Sequence, residues 1–347
     1  MNKQLISKVT VLVVLIIAMM VVSACGGTTA APEQATEVVS GPADEVTIQM
    51  SWTYDYSASG LYAAEMNGHF AEQNLKVTFH EGGFGSGGYI EPINEVVGGS
   101  ADFGMSSAST LIKARAEGKP VVGVLSALQR SPFVLISLEK SGITQPSDLV
   151  GKTVSVSAGG AMATYLSLLQ QQGIDPSTVN TVERTDFGID PLLKGEVDVL
   201  GGWIINEGVM VEEAGETPSY ILPSDYGIES YDFIVFTTED MVKNHPDTVQ
   251  RVVNALVAGL NDVVADSAQA VEFTLTYNPE LDRAQQQRRL DAMLALIRPS
   301  GAQVGMMNES VWQSTYDVMV EQGSLNETVD LSTVYTTEFL NKAVASR

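Results

Sequence analysis

The side chains best suited to hold a ligand start in the stretch MSWTYDYSASGLYAAEMNGHFAEQNLKVTF, residues 50–79. Trp52, Tyr54 and Tyr56 place three large rings within five residues of a Ser/Asp-rich loop. Soluble cores rarely need that much aromatic surface in a polar loop, so the chemistry suggested is stacking on a flat ring. The competing reading is that the rings close a core edge. A second station is Trp203 with Asn206 and Glu207: an indole to pack on a ring, and an amide and a carboxylate to satisfy its polar edge. There the alternative is that Asn206 or Glu207 merely begins a helix. Ser106 and Ser107 offer hydroxyls, at least one of them expected to cap a helix. Gly159 and Gly160 would expose backbone N–H groups at a helix start.

No catalytic constellation stands beside these groups. His69, His80 and His245 lack metal-like spacing, and there is no Gly-x-Ser-x-Gly elbow and no cysteine nucleophile. Gly83, Gly85 and Gly88 match a dinucleotide fingerprint, but the match follows a second strand, and Pro92 limits the helix behind it. A ligand-facing turn is the expectation, and no cofactor is expected.

The elements that must position these groups read as alternating strands and helices. Strands are expected at 47–50, 75–79, 100–105, 121–127, 133–138, 153–157, 181–184, 197–200 and 232–237. Helices are expected from Leu61 to about Gly68 and over 93–97, 110–117, 161–172 and 208–214. The aromatic loop, the serines, the glycine pair and the Trp203 station each follow a strand's carboxyl end, where open α/β sheets bind ligands. From Pro246 onward the pattern is helical: Val249, Val252, Val253, Leu256 and Leu260 recur at helical spacing, as do Leu290, Met293, Leu294 and Ile297. Trp312 and the methionines around it read as packing.

At the start of the chain, Lys3 and Lys8 precede an apolar run over 9–22 that is too short for a stable membrane span. It ends in Val22-Ser23-Ala24-Cys25, which resembles the bacterial lipobox. Residues 1–25 are therefore expected to be a lipoprotein signal peptide with Cys25 lipidated. Cys25 is the single cysteine, so no internal disulfide can form. Residues 26–44 read as a flexible tether, whose ends would sit roughly 23 Å apart as a coil. Roughly 300 residues remain, enough for two compact domains. The formal charge of −23 and the absence of any basic run argue against nucleic acid as a partner. The expectation is a monomeric soluble body on a lipid anchor at the outer face of the cell membrane.

The segments GLYAAEMNGHFAEQNLKV, ADFGMSSASTLIKARAEGKPVVGVLSALQRSP, DLVGKTVSVSAGG and LLKGEVDVLGGWIINEGV, in that order, carry a resemblance across residues 45–345. The chain resembles the solute-binding lipoproteins of bacterial ABC importers, in the branch that includes aromatic-sulfonate binders and thiamine-pyrimidine-precursor binders. The resemblance implies an α/β fold: a two-lobed periplasmic-binding-protein (type II) clamp with two crossover strands. It places lobe one at 45–132 plus 237–345 and lobe two at 133–236, with ligand in the cleft. It implies contacts from Trp52, Tyr54, Tyr56 and Tyr62 on one side, and from Gly159, Gly160, Trp203, Asn206 and Glu207 on the other. Ser106, Ser107, Gln129 and Arg130 would complete them, with Arg130 and Arg184 the only basic residues near the cleft. The implied partners are a permease and an ATPase subunit.

One departure bears on the ligand. Pyrimidine binders of this branch commonly read tryptophan, proline-asparagine, then a histidine two residues before the helix glycine. The corresponding residues here are Trp52, Tyr54-Asp55, Ala58 and Gly60. The related fungal pyrimidine synthases use histidine and a cysteine cluster that this chain lacks at the matching places. The chain is therefore expected to be a non-catalytic carrier, most similar to the riboflavin-binding branch. The alternatives are a binder of a thiamine pyrimidine precursor or, further off, an enzyme of the synthase type.

Overall fold

A computed structural model of the chain describes residues 41–325 and 327–345. Residues 1–25, Cys25 among them, and most of the expected tether lie outside the described residues. Among the described residues no helix is long and apolar enough to cross a membrane.

Two five-stranded sheets organise the chain. The first uses β1 (Asp44–Gln49), β2 (Leu75–His80), β5 (Phe103–Ser106), β6 (Val121–Ser126) and β12 (Ile234–Thr238), in the order β2-β1-β5-β12-β6. β1 runs parallel to β2 and β5, while β12 is antiparallel to both its neighbours. The second uses β7 (Phe133–Leu138), β8 (Thr153–Val156), β9 (Asn180–Glu183), β10 (Val199–Trp203) and β11 (Pro218–Ile221), in the order β11-β7-β10-β8-β9. Here β8, β9 and β10 are parallel, and β7 is antiparallel to β10 and β11. Each sheet thus holds one antiparallel strand delivered by the chain as it crosses from the other sheet: β7 after β6, and β12 after β11. A two-stranded hairpin, β3 (Phe84–Gly85) with β4 (Gly88–Tyr89), lies outside both sheets.

Strand composition follows burial. β7 reads FVLISL and is buried throughout, because helices and loops cover both faces of its sheet. Val134 and Ile136 pack with Leu200 and Val211 on one face, while Leu135 packs with Val154, Tyr165 and Leu168 on the other. In the first sheet Ile48 and Phe103 meet the helix Ser59–Met66, which lies against the long helix Pro246–Ala265. Those two helices approach closely at glycines: a Cβ on Gly259 would lie 2.3 Å from the Gly60 carbonyl oxygen. Trp312 is fully buried and stacks on Tyr335 with centroids 4.7 Å apart.

Two expected boundaries move. The first strand begins at Asp44, inside the expected tether, because Asp44 pairs with Leu75 and its carboxylate meets Arg251. Residues Ile234, Val235 and Phe236, expected in the second lobe, pair with β5 and β6 in the first sheet.

Candidate functional site

The first wall grows from the loop after β1. The Gly82 N–H donates to the Trp52 carbonyl at 2.9 Å, fastening this loop to the end of β2. Only glycine fits there, since a Cβ on Gly82 would stand 2.2 Å from the Met50 carbonyl oxygen. Trp52 is left 40% exposed, edge-on to Phe84 of the hairpin at 6.0 Å. The Tyr89 hydroxyl donates to the Ser51 carbonyl at 3.0 Å and holds the hairpin over the loop. Asp55 then caps a single turn, Tyr56–Ala58, by accepting from the Ser57 N–H at 2.9 Å and its hydroxyl at 2.6 Å. That turn aims Tyr56 across the molecule, where its hydroxyl donates to the Ile205 carbonyl at 3.2 Å.

The opposite wall grows from the end of β10, which opens into a π-turn at Ile204–Gly208. Glu207 folds back so that one oxygen accepts the Trp203 N–H at 2.8 Å and the other faces the Arg184 guanidinium at 3.0 Å. Arg184 also donates to the carbonyls of Gly201 at 2.9 Å and Gly188 at 3.1 Å. Gly202 leaves room for the folded Glu207, whose side chain lies about 3.1–3.2 Å from where a Cβ would be. Trp203 packs edge-on to Phe233 at 5.7 Å, and the exposed Phe187 ring lies 6.0 Å from the Arg184 guanidinium.

Between the walls lies a cavity of about 590 Å³. Trp52, Tyr56 and Tyr89 line it from the first side and Phe133, Phe187 and Trp203 from the second. Its titratable groups include Asp55, Asp232, Arg184, Glu207 and Arg289. Burial pushes the carboxyls of Asp55 and Asp232 above the usual carboxylate range, against hydrogen bonds from Ser57 and Ser131 respectively. Burial likewise pushes the Tyr56 hydroxyl up, so it remains a neutral donor. Large ring faces with a few convergent polar groups suit a flat, mostly apolar molecule with a polar edge.

Of the residues singled out from sequence, Trp52, Tyr56, Ser106, Ser107, Trp203, Asn206 and Glu207 line this cavity. Ser107 also caps the helix Ala108–Ala116, accepting from the Thr110 N–H at 3.3 Å. The Asn206 amide makes no hydrogen bond among the described residues and is open to a ligand. Glu207 differs from expectation: both its oxygens are engaged inside the wall, so it holds Arg184 and the turn rather than presenting a free carboxylate.

Others lie elsewhere. Tyr62 is fully buried and stacks on Tyr277 with centroids 4.4 Å apart, and Tyr54 stacks on the same ring at 5.6 Å while donating to the Phe79 carbonyl. Both belong to the first core, and so does Tyr56, which is buried there and also borders the cavity. Gln129 bonds the Ser126 carbonyl, and Arg130 pairs with Asp225 and donates to Ser224. Gly159 and Gly160 start the helix Gly160–Gln171 beside the cavity, but its neighbours Ser157 and Ala161 form the lining. Sequence reasoning missed Asp55, Tyr89, Phe187, Asp232 and Arg289. Asp55 within the aromatic loop was the legible signal among them.

Comparison with known proteins follows the same lines. The family model described as NMT1/THI5 like matches residues 56–270. A riboflavin-binding protein, RibY, of Chloroflexus aurantiacus is 25% identical over 96% of this chain and 98% of its own length. A 4-amino-5-hydroxymethyl-2-methylpyrimidine phosphate synthase of Legionella pneumophila is 25% identical over 85% of this chain and 92% of its own. A formylaminopyrimidine-binding protein of Halalkalibacterium halodurans is 25% identical over 77% and 78%. Among solved structures, the putative periplasmic sulfonate-binding protein SsuA of Methylobacillus flagellatus superposes with a TM-score of 0.69 at 17% identity, covering 88% of this chain and 96% of its own. The two-sheet architecture is therefore that of a two-lobed periplasmic binding protein.

Proposed function

This chain belongs to the NMT1/THI5-like family, and on that premise we propose that it is the extracytoplasmic solute-binding protein of an ABC importer, capturing a flat heteroaromatic vitamin. Riboflavin is the favoured ligand and a thiamine pyrimidine precursor the alternative. The observation that carries this reading is the cavity of about 590 Å³ with tryptophan in both walls, Trp52 and Trp203. A cavity of that size matches sites for ligands larger than one small ring, and three fused rings need stacking surface on both sides. Among the described residues its lining contains neither histidine nor cysteine, which supports a carrier over an enzyme of the synthase type.

In this reading the lobes are built on the two sheets, with the hinge in the crossings 127–132 and 222–233. Trp52, Tyr56, Trp203 and Asn206 are the ligand contacts. Cys25 holds the body at the membrane, where a permease and an ATPase receive the ligand. Replacing Cys25 with alanine should release the protein from the membrane fraction; a variant as firmly bound as the parent would refute the anchor.

Flavin fluorescence provides the test of the ligand. Stacking on Trp or Tyr should quench riboflavin emission as protein is added, with a matching heat of binding by calorimetry. Unchanged emission and no heat with riboflavin, alongside binding of a pyrimidine precursor, would reverse the order of the two ligands.

A further inference from the structure

The cavity contains a cation whose charge acts on the nearby carboxyls of Asp55 and Glu213 without a hydrogen bond or ion pair to either. Arg289 belongs to the helix Arg283–Ile297 and lines the cavity from the first side. Its guanidinium carbon lies 5.8 Å from the centroid of the Tyr56 ring. Among the described residues it makes no hydrogen bond and no ion pair, and its Nε is buried without a partner. The other arginines of this helix and of the cavity are differently placed. Arg283 pairs with Glu272, Arg288 with Glu213, and Arg184 with Glu207. The carboxylate Asp55 of the same wall is occupied by Ser57, and Asp232 by Ser131.

A guanidinium carries five N–H donors and no acceptor, and a donor withdrawn from water without a partner is costly. Holding it against the face of Tyr56 orients its plane and leaves its N–H edge for another molecule. Two acceptors side by side on a planar ring would match that edge in a bidentate way. We infer that Arg289 is the specificity-determining residue of the cavity: it selects rings that present a carbonyl acceptor edge over rings that present an exocyclic amino group. This rests on the carrier reading above and deepens it, naming the polar group by which the ligand is chosen. Tyr56 acts as a positioning residue for Arg289, besides offering ring surface.

The test is calorimetric titration of the full-length parent and the variants Arg289→Lys, Arg289→Gln and Arg289→Met. The probes are riboflavin, whose ring system bears two carbonyls, and 4-amino-5-hydroxymethyl-2-methylpyrimidine, which bears an amino group. The expected result is preference of the parent for riboflavin, weakened about tenfold or more in Arg289→Met. Arg289→Lys should be intermediate, since it keeps the charge without the fork. The melting temperature of the empty variants should equal or exceed that of the parent, an outcome that a merely structural arginine would not give. Should Arg289→Met fail to fold, Arg289→Gln provides the comparison. Riboflavin affinity within about twofold of the parent in the folded variants overturns the inference. Preference of the parent for the aminopyrimidine overturns it too, while leaving the carrier reading intact. Binding of neither probe by the parent removes both.

Discussion

Glu207 and Arg184 face each other at 3.0 Å with both side chains 4% exposed, so each is the other's chief compensation for leaving water. Deleting one partner of such a pair leaves an uncompensated buried charge. Glu207→Ala is therefore expected to cost the empty protein about 3–5 kcal/mol, read as a shift in the urea midpoint. A variant that keeps parental stability and loses only ligand affinity would restore Glu207 to the role of a direct contact. Asp232 gives a pH signature. Its folded-state carboxyl is raised by burial, so folding favours its protonated form. The stability linked to this group is fully present below the unfolded value of about 3.9 and is lost as pH rises through the folded value. Asp232→Asn removes that loss while keeping an acceptor for Ser131. The variant's melting temperature should exceed the parent's at pH 7, with the gap closing near pH 4. A gap that widens in acid would contradict the sign.

At the level of elements, the approach of two helices fixes where the first wall sits. A Cβ on Gly259 would meet the Gly60 carbonyl oxygen at 2.3 Å and the Ala64 nitrogen at 2.7 Å, all backbone atoms that can move only if a helix moves. Gly259→Ala should therefore destabilise by about 1–3 kcal/mol or more through overpacking, measured by chemical denaturation. An unchanged midpoint would mean that the helices are looser than this contact requires. Much of this layer was legible in the sequence. The run FVLISL reads as a buried strand by its short length and flanking Pro132, and binding groups at the carboxyl ends of strands follow from α/β architecture. Side-chain direction was not legible. Tyr54 and Tyr56 are two residues apart and both pack in the first core, yet of the two only Tyr56 also borders the cavity. Tyr62 is committed by Tyr277, far along the chain. Arg289 sits in a polar helical run, QQQRRL, where pattern alone does not say which arginine faces inward.

For the whole molecule, the carrier reading requires the walls to approach when a ligand touches both. A ligand shifts such an equilibrium only by its differential affinity for the closed state. Small-angle scattering should therefore show a smaller radius of gyration with saturating riboflavin than without it. An unchanged radius despite bound riboflavin would mean that the walls are already set before binding. The sheet order has a separate bearing on synthesis. β7–β11 occupy one continuous stretch, so the second sheet has all its strands once Ile221 has been made. The first sheet does not, because β12 stands between β5 and β6. Until Thr238 is available, the apolar strands Phe103–Ser106 and Val121–Ser126 each present an unpaired edge. Open edges of that kind template intermolecular pairing. The nascent chain thus passes through an interval in which its N-terminal half is synthesised but adhesive, and the strand that ends this interval arrives only after the entire second sheet.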